Sequence, residues 1–150
     1  MKNVTLPIRY GLLTSAGLII YFITLSSVGL HTNPIMSLFN AVITGLGIYS
    51  AIKTYKIEQG TDFEYGAGFK VGIITGFVAT IFFTAFFLLY STEFSPLFLS
   101  ELLTVFKGDY NVHIGLVSFV VAIMGFATSV VLTLTCMQLF KPSWNIPEKA

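Results

Sequence analysis

Charge is scarce in this chain: Asp, Glu, Lys and Arg together make up 10% of its 150 residues, against about 25% in an ordinary soluble domain. That shortage excludes a conventional water-facing fold. A single cysteine, Cys136, excludes an intrachain disulfide and a cysteine-based zinc cage, and its expected role is that of a small apolar filler within a helix. The net charge is +1 and the basic residues form no run, so nucleic acid is not an expected partner. HExxH, paired-cysteine, P-loop and GxSxG motifs are all missing, which leaves the common motif-borne reactions without support. The expectation is a protein that is not an enzyme, with no catalytic residues, no bound metal and no cofactor.

What the chain does have is apolar length. Hydrophobic residues make up 55% of the composition and the mean hydropathy is +0.83. Four runs are long enough to cross a bilayer, at about 10–30, 34–52, 69–90 and 114–140. The first, after Lys2 and Arg9, has the layout of a secretory signal but a longer apolar stretch than a signal core, and it reads as a retained span with Pro7 in its first turn. Asn33-Pro34 breaks the chain only briefly before the second run, so the first two spans should be antiparallel neighbours. The stretch KTYKIEQGTDFEYGAG from Lys53 to Gly68 reads as the main cytoplasmic loop, with Glu58, Asp62 and Glu64 as a solvated face. Between the third and fourth runs, Ser95-Pro96 looks like a helix start and Gly108 like a stop. Ser100, Glu101, Thr104 and Lys107 share one face there, which predicts a short helix over about 96–107 lying in the membrane interface. The fold class expected is all-α: an integral membrane four-helix bundle, one transmembrane domain over 1–150, with this short extracytoplasmic interfacial helix.

The third run carries the clearest pattern. Gly68, Gly72, Gly76, Thr80 and Thr84 recur every four residues, forming a strip of small side chains suited to close packing of another helix, in the manner of GxxxG motifs. In the fourth run Gly115, Ser118, Ala122, Gly125 and Ser129 suggest a second such face. Asn40 is the one strongly polar side chain of the second run and should bond to a neighbouring helix. The hydroxyls of Thr14, Thr24, Thr75, Thr80 and Thr84 serve either helix contacts or a polar pathway. His31, Glu93, Glu101, Asp109 and His113 fall in or beside the two outer connections, where imidazoles and carboxylates offer metal or proton chemistry, although their spacing follows no ligand pattern. Polar residues are in any case expected at a membrane boundary.

Basic residues orient the chain. Lys2, Arg9, Lys53, Lys56, Lys70, Lys141 and Lys149 would share the side of both termini and Lys107 would lie opposite, which puts the N- and C-termini in the cytoplasm. The halves are faintly alike, with Arg9-Tyr10-Gly11-Leu12-Leu13-Thr14-Ser15 aligning on Lys70-Val71-Gly72-Ile73-Ile74-Thr75-Gly76.

The basic-x-Gly start of the first span, the stretch Phe63-Glu64-Tyr65-Gly66-Ala67-Gly68-Phe69-Lys70-Val71-Gly72 and the long third connection resemble the small bacterial four-span membrane proteins of domain-of-unknown-function family 4199. The resemblance implies a bacterial inner-membrane location and carries over no catalytic residue. Two functions are expected to compete. One is a structural or accessory subunit, surrounded by membrane lipid and packing against itself or a larger membrane complex. The other is a small oligomeric transporter or channel-like permeation unit.

Overall fold

The computed structural model describes residues 5–30, 33–94, 98–105 and 113–141. Five helices account for nearly all of them: α1 (Thr5–Ser27), α2 (Pro34–Gln59), α3 (Tyr65–Leu89), α4 (Phe98–Val105) and α5 (Ile114–Leu139). α1, α2, α3 and α5 are long and apolar enough to cross a membrane, so the chain is a multi-pass membrane protein built as a helical bundle. No strand occurs among the described residues.

The ends of the first two helices follow from local chemistry. α1 closes on Gly29, whose φ of 71° is open to glycine at little cost. The Leu30 N–H donates to the Leu25 carbonyl and the Gly29 N–H to that of Ser26, so the last carbonyls of the helix are satisfied before the turn. Asn33 then caps α2 by accepting the Ile35 N–H at 3.0 Å, and Pro34 occupies the first helical position, where its missing N–H costs nothing.

The expected loop after Lys53 is largely helix. α2 continues to Gln59, a 3₁₀ turn spans Gly60–Asp62, and α3 begins at Tyr65. The physical reason is a face that outlasts the apolar run: Ile48, Ala51, Ile52 and Tyr55, spaced as on one side of a helix, are all buried, while Lys53, Lys56, Ile57 and Glu58 point outward. An amphipathic face is enough to keep the helix going into water. At about 1.5 Å per residue, the 26 residues of α2 measure about 39 Å and overreach a hydrocarbon core of about 30 Å.

α3 is the hub. It packs against α1, α2 and α5, and α2 also touches α1 and α5, so α1 and α5 flank the α2–α3 pair. Directions alternate. Tyr10 Oη meets Thr54 Oγ1 at 2.8 Å near one end of the α1–α2 pair, and Tyr21 Oη donates to the Met36 carbonyl at 2.9 Å near the other. α1 and α3 run the same way, with the Thr75 hydroxyl donating to the Pro7 carbonyl at 3.3 Å early in both helices. The start of α1 and the end of α5 therefore lie at the same end of the bundle. There Leu6, Tyr10 and Phe140 pack on a buried cluster containing Ile48, Ile52, Tyr55, Val71, Cys136 and Met137. Cys136 lies with its sulfur 3.9 Å from the Gly45 carbonyl.

The opposite end is an aromatic nest. Phe22 of α1 makes edge-on contacts with Phe83, Phe86, Phe87, Tyr90 and Phe98 at centroid distances from 5.0 to 6.3 Å. α3 widens into a π turn over Tyr90–Phe94, and Tyr90 there hydrogen-bonds Ser26 of α1. The short helix of the third connection is present as α4, but it is more than an interfacial float: Phe98 is 1% exposed and plugs the nest, while Ser100 and Glu101 are exposed. Elsewhere large apolar side chains such as Ile20, Leu38, Phe39, Phe82, Phe119 and Met124 face outward, as a bilayer requires.

Because Phe98 is the buried anchor of α4, Phe98→Ala should cost about 3 kcal/mol and make residues 98–105 exchange amide hydrogen faster. Phe82→Ala, on the lipid-facing side, should leave both the thermal midpoint and that exchange unchanged.

Candidate functional site

The strip of small residues on α3 lies where three helices meet. Gly68, Gly72, Gly76 and Thr80 are buried and Thr84 is half-buried. α5 runs back along them in step. An added Cβ on Gly68 would meet Met137 Cε at 3.2 Å, one on Gly72 would meet Thr133 Cγ2 at 2.5 Å, and one on Gly76 would meet Ser129 Cβ at 2.5 Å. At the next step the roles exchange, and a Cβ on Gly125 of α5 would lie 2.6 Å from Thr80 Cγ2 of α3. Four residues forward on α3 thus match four residues back on α5, the register expected of two antiparallel helices meeting along i, i+4 ridges. α2 closes the other side of the strip. Ile52 Cδ1 would be 3.1 Å from a Cβ on Gly72, and Ile48 Cδ1 3.2 Å from one on Gly76.

Hydroxyls recur opposite the glycines. Thr133 Oγ1 would stand 3.0 Å from a Gly72 Cβ, Ser129 Oγ 2.6 Å from a Gly76 Cβ, and Thr80 Oγ1 3.0 Å from a Gly125 Cβ. Thr14 of α1 faces Gly47 of α2 in the same manner. With hydrogen in place of a methyl group, each glycine leaves room for the hydroxyl-bearing side chain opposite it. Two of these hydroxyls also satisfy their own helix: Ser129 donates to the Gly125 carbonyl at 2.8 Å and Thr14 to that of Tyr10 at 2.7 Å. Thr80 and Ser129 lie 3.5 Å apart across the seam. Asn40 Oδ1, Thr84 Oγ1, Ser118 Oγ and Thr133 Oγ1 are buried without a hydrogen-bond partner, so the carbonyl oxygen of Asn40, a side chain expected to bond to a neighbouring helix, accepts no such bond.

The α5 side was only half visible in the sequence. Gly125 and Ser129 take part, Ser118 is buried and Gly115 is exposed, while the seam continues beyond Ser129 to Thr133 and Met137. The missing signal was strict spacing: 125, 129, 133 and 137 step by four as the α3 residues do, although Thr and Met do not read as a small-residue face. Gly11, part of the basic-x-Gly start of the first span, and Gly47 also lie at close helix contacts. A Cβ on Gly11 would lie 2.7 Å from Val78 Cβ and 2.9 Å from the Thr75 carbonyl oxygen, so Gly11 lets the α1 backbone come close to that of α3.

The outer polar residues are not assembled into a site among the described residues. His31 and Asp109 lie outside those residues. Glu93 is exposed on the π turn and Glu101 on α4. His113 caps α5, its Nδ1 accepting the Gly115 N–H at 3.0 Å. No group of three or more His, Cys, Asp or Glu side chains is placed to hold a metal ion among the described residues.

Four apolar helices closed by glycine contacts, with every described Lys, Arg, Asp, Glu and His side chain exposed, define a polytopic α-helical membrane protein. Residues 9–111 match the family described as "Protein of unknown function (DUF4199)", and the chain belongs to that family. The match takes in α1 from Arg9 through α4 and stops short of α5. No curated protein and no solved structure matches the chain.

Gly72 and Gly66 give a paired test of the seam. Gly72→Ala places a methyl group against Thr133 and should destabilise the folded protein by about 1–3 kcal/mol, read as a lower thermal midpoint in detergent. Gly66→Ala, where an added Cβ meets nothing within 4 Å, should leave the midpoint unchanged or slightly raised.

Proposed function

We propose that this protein is a non-catalytic structural or accessory subunit of a bacterial inner membrane, working as a preassembled four-helix unit with both termini in the cytoplasm. The observation that carries the reading is the filling of the interior. Close glycine contacts occupy the meeting line of α2, α3 and α5, and no described Lys, Arg, Asp, Glu or His side chain enters it. Ion-coupled transport normally requires such a group within the membrane. The small-residue strip is taken up by the chain's own α5 and α2, so contacts with a second copy or a larger complex would use the outward apolar faces.

A permeation unit is the second reading, favoured by the unpartnered oxygens of Asn40, Thr84, Ser118 and Thr133 on α2, α3 and α5. Against it, the other threonines open to a pathway role are already engaged. Thr14 and Thr24 bond to carbonyls of their own helix, Thr75 to Pro7, and Thr80 to Ser129.

Flux measurement separates the two. Proteoliposomes holding the protein should leak small ions and neutral solutes no faster than empty vesicles, and a protein-dependent flux abolished by Thr84→Val would replace the accessory reading with the permeation one. Orientation has its own test: a reporter inserted after Lys107 should read extracytoplasmic and one after Ala150 cytoplasmic, and the reverse pattern would invert the topology.

A further inference from the structure

Where α2 leaves its apolar run and α5 ends, two lysines lie against aromatic rings and not against carboxylates. Tyr49 and Phe140 stack across the two helices with centroids 5.5 Å apart and planes 25° from parallel. Lys53 Nζ stands 5.9 Å from the Tyr49 ring centroid. Lys56 Nζ stands 5.4 Å from the Phe140 centroid and 5.6 Å from that of Phe63. The exposed Lys141 directly follows Phe140. Glu58, Asp62 and Glu64 are exposed in the same region, yet among the described residues neither Lys53 nor Lys56 forms an ion pair.

A ring face holds an ammonium in place without neutralising it, and most of the three N–H donors of each lysine remain open to an acceptor. The depth suits one kind of acceptor. Ile52 is the last residue of the apolar run, so Lys53 and Lys56 stand at the headgroup level, with Tyr49 and Phe140 in the zone that interfacial aromatic residues occupy.

We propose that Lys53 and Lys56, mounted on the Tyr49–Phe140 pair at the α2–α5 corner, form a binding site for a phosphate anion, supplied by the headgroup of an anionic membrane lipid. The stacked rings fix the spacing of two positive charges, and the charges together select an anionic headgroup over a zwitterionic one. Each lysine near an anionic surface contributes about fivefold in affinity.

The test uses the full chain in a neutral detergent, titrated with phosphatidylglycerol or with phosphatidylcholine, bound lipid being counted by native mass spectrometry. Phosphatidylglycerol should be retained over phosphatidylcholine. Lys53→Gln with Lys56→Gln should weaken its retention about tenfold or more. Lys70→Gln removes an exposed lysine at the same end of the bundle that has no aromatic partner among the described residues, and it should weaken retention by no more than the about fivefold of a single lysine near an anionic surface. Phe140→Leu keeps every charge yet should also weaken retention, because it removes the ring that positions Lys56. In a competition arm, failure of inorganic phosphate to displace the lipid assigns the site to the headgroup, and displacement assigns it to free phosphate, overturning the lipid source. Equal retention of the two lipids, or a Lys70→Gln loss as large as that of the Lys53/Lys56 pair, overturns the site itself.

Discussion

Between helices in lipid there is no hydrophobic gain to be had, since hydrocarbon tails are as apolar as the side chains they would be exchanged for. What remains is close contact, and in this protein it is concentrated where α5 passes the glycines of α3. Gly72 and Gly76 let Thr133 and Ser129 approach to distances that no Cβ would permit, and Gly125 returns the arrangement for Thr80. The gain is dispersion across a well-filled seam. Because α2 rests its Ile48 and Ile52 on the same glycines, the position of three of the four spans depends on that strip having no side chains. α1 joins on the remaining side through Gly11 and the Pro7–Thr75 hydrogen bond.

The two ends secure what the seam aligns. At the end where α1 begins and α5 finishes, aromatic and aliphatic side chains from α1, α2, α3 and α5 share one buried cluster, and Lys56 bridges the ring before α3 to the ring after α5. At the other end the edge-on contacts around Phe22 tie α1 to α3 and draw in α4 through Phe98. Each aromatic pair is worth about 0.5–1.5 kcal/mol beyond its burial, and the π turn at Tyr90–Phe94 brings Tyr90 to both Phe22 and Ser26. A bundle closed in this way, with every described Lys, Arg, Asp, Glu and His side chain exposed, is suited to presenting a fixed apolar outline to lipid or to other membrane helices.

Much of this was legible in the sequence, because a bilayer imposes length and apolarity on a span more strictly than water imposes anything on a soluble helix. The four runs and the interval-four strip on α3 could be read directly. The extension of α2 to Gln59 could not be read from hydropathy, since Lys53 and Lys56 end the apolar run while the buried face continues through Tyr55. Thr133 and Met137 are not legible as seam residues in the sequence, because their part in the seam depends on what faces them and not on their size. The docking of α4 was hidden for a related reason: a short amphipathic segment reads the same whether it lies on the membrane or inserts one phenylalanine into a nest. His113, which suggested metal or proton chemistry, is used as a helix cap, a role that residue type alone does not announce.

The central claim is that α3 and α5 are matched residue against residue, and a double-mutant cycle across Gly76 and Ser129 tests it most directly. Gly76→Ala alone should destabilise the protein, because its methyl group would lie 2.5 Å from Ser129 Cβ. Ser129→Gly should relieve most of that penalty when the two are combined, leaving a coupling of about 1 kcal/mol or more. Strictly additive effects of the two substitutions on the unfolding free energy would contradict the seam.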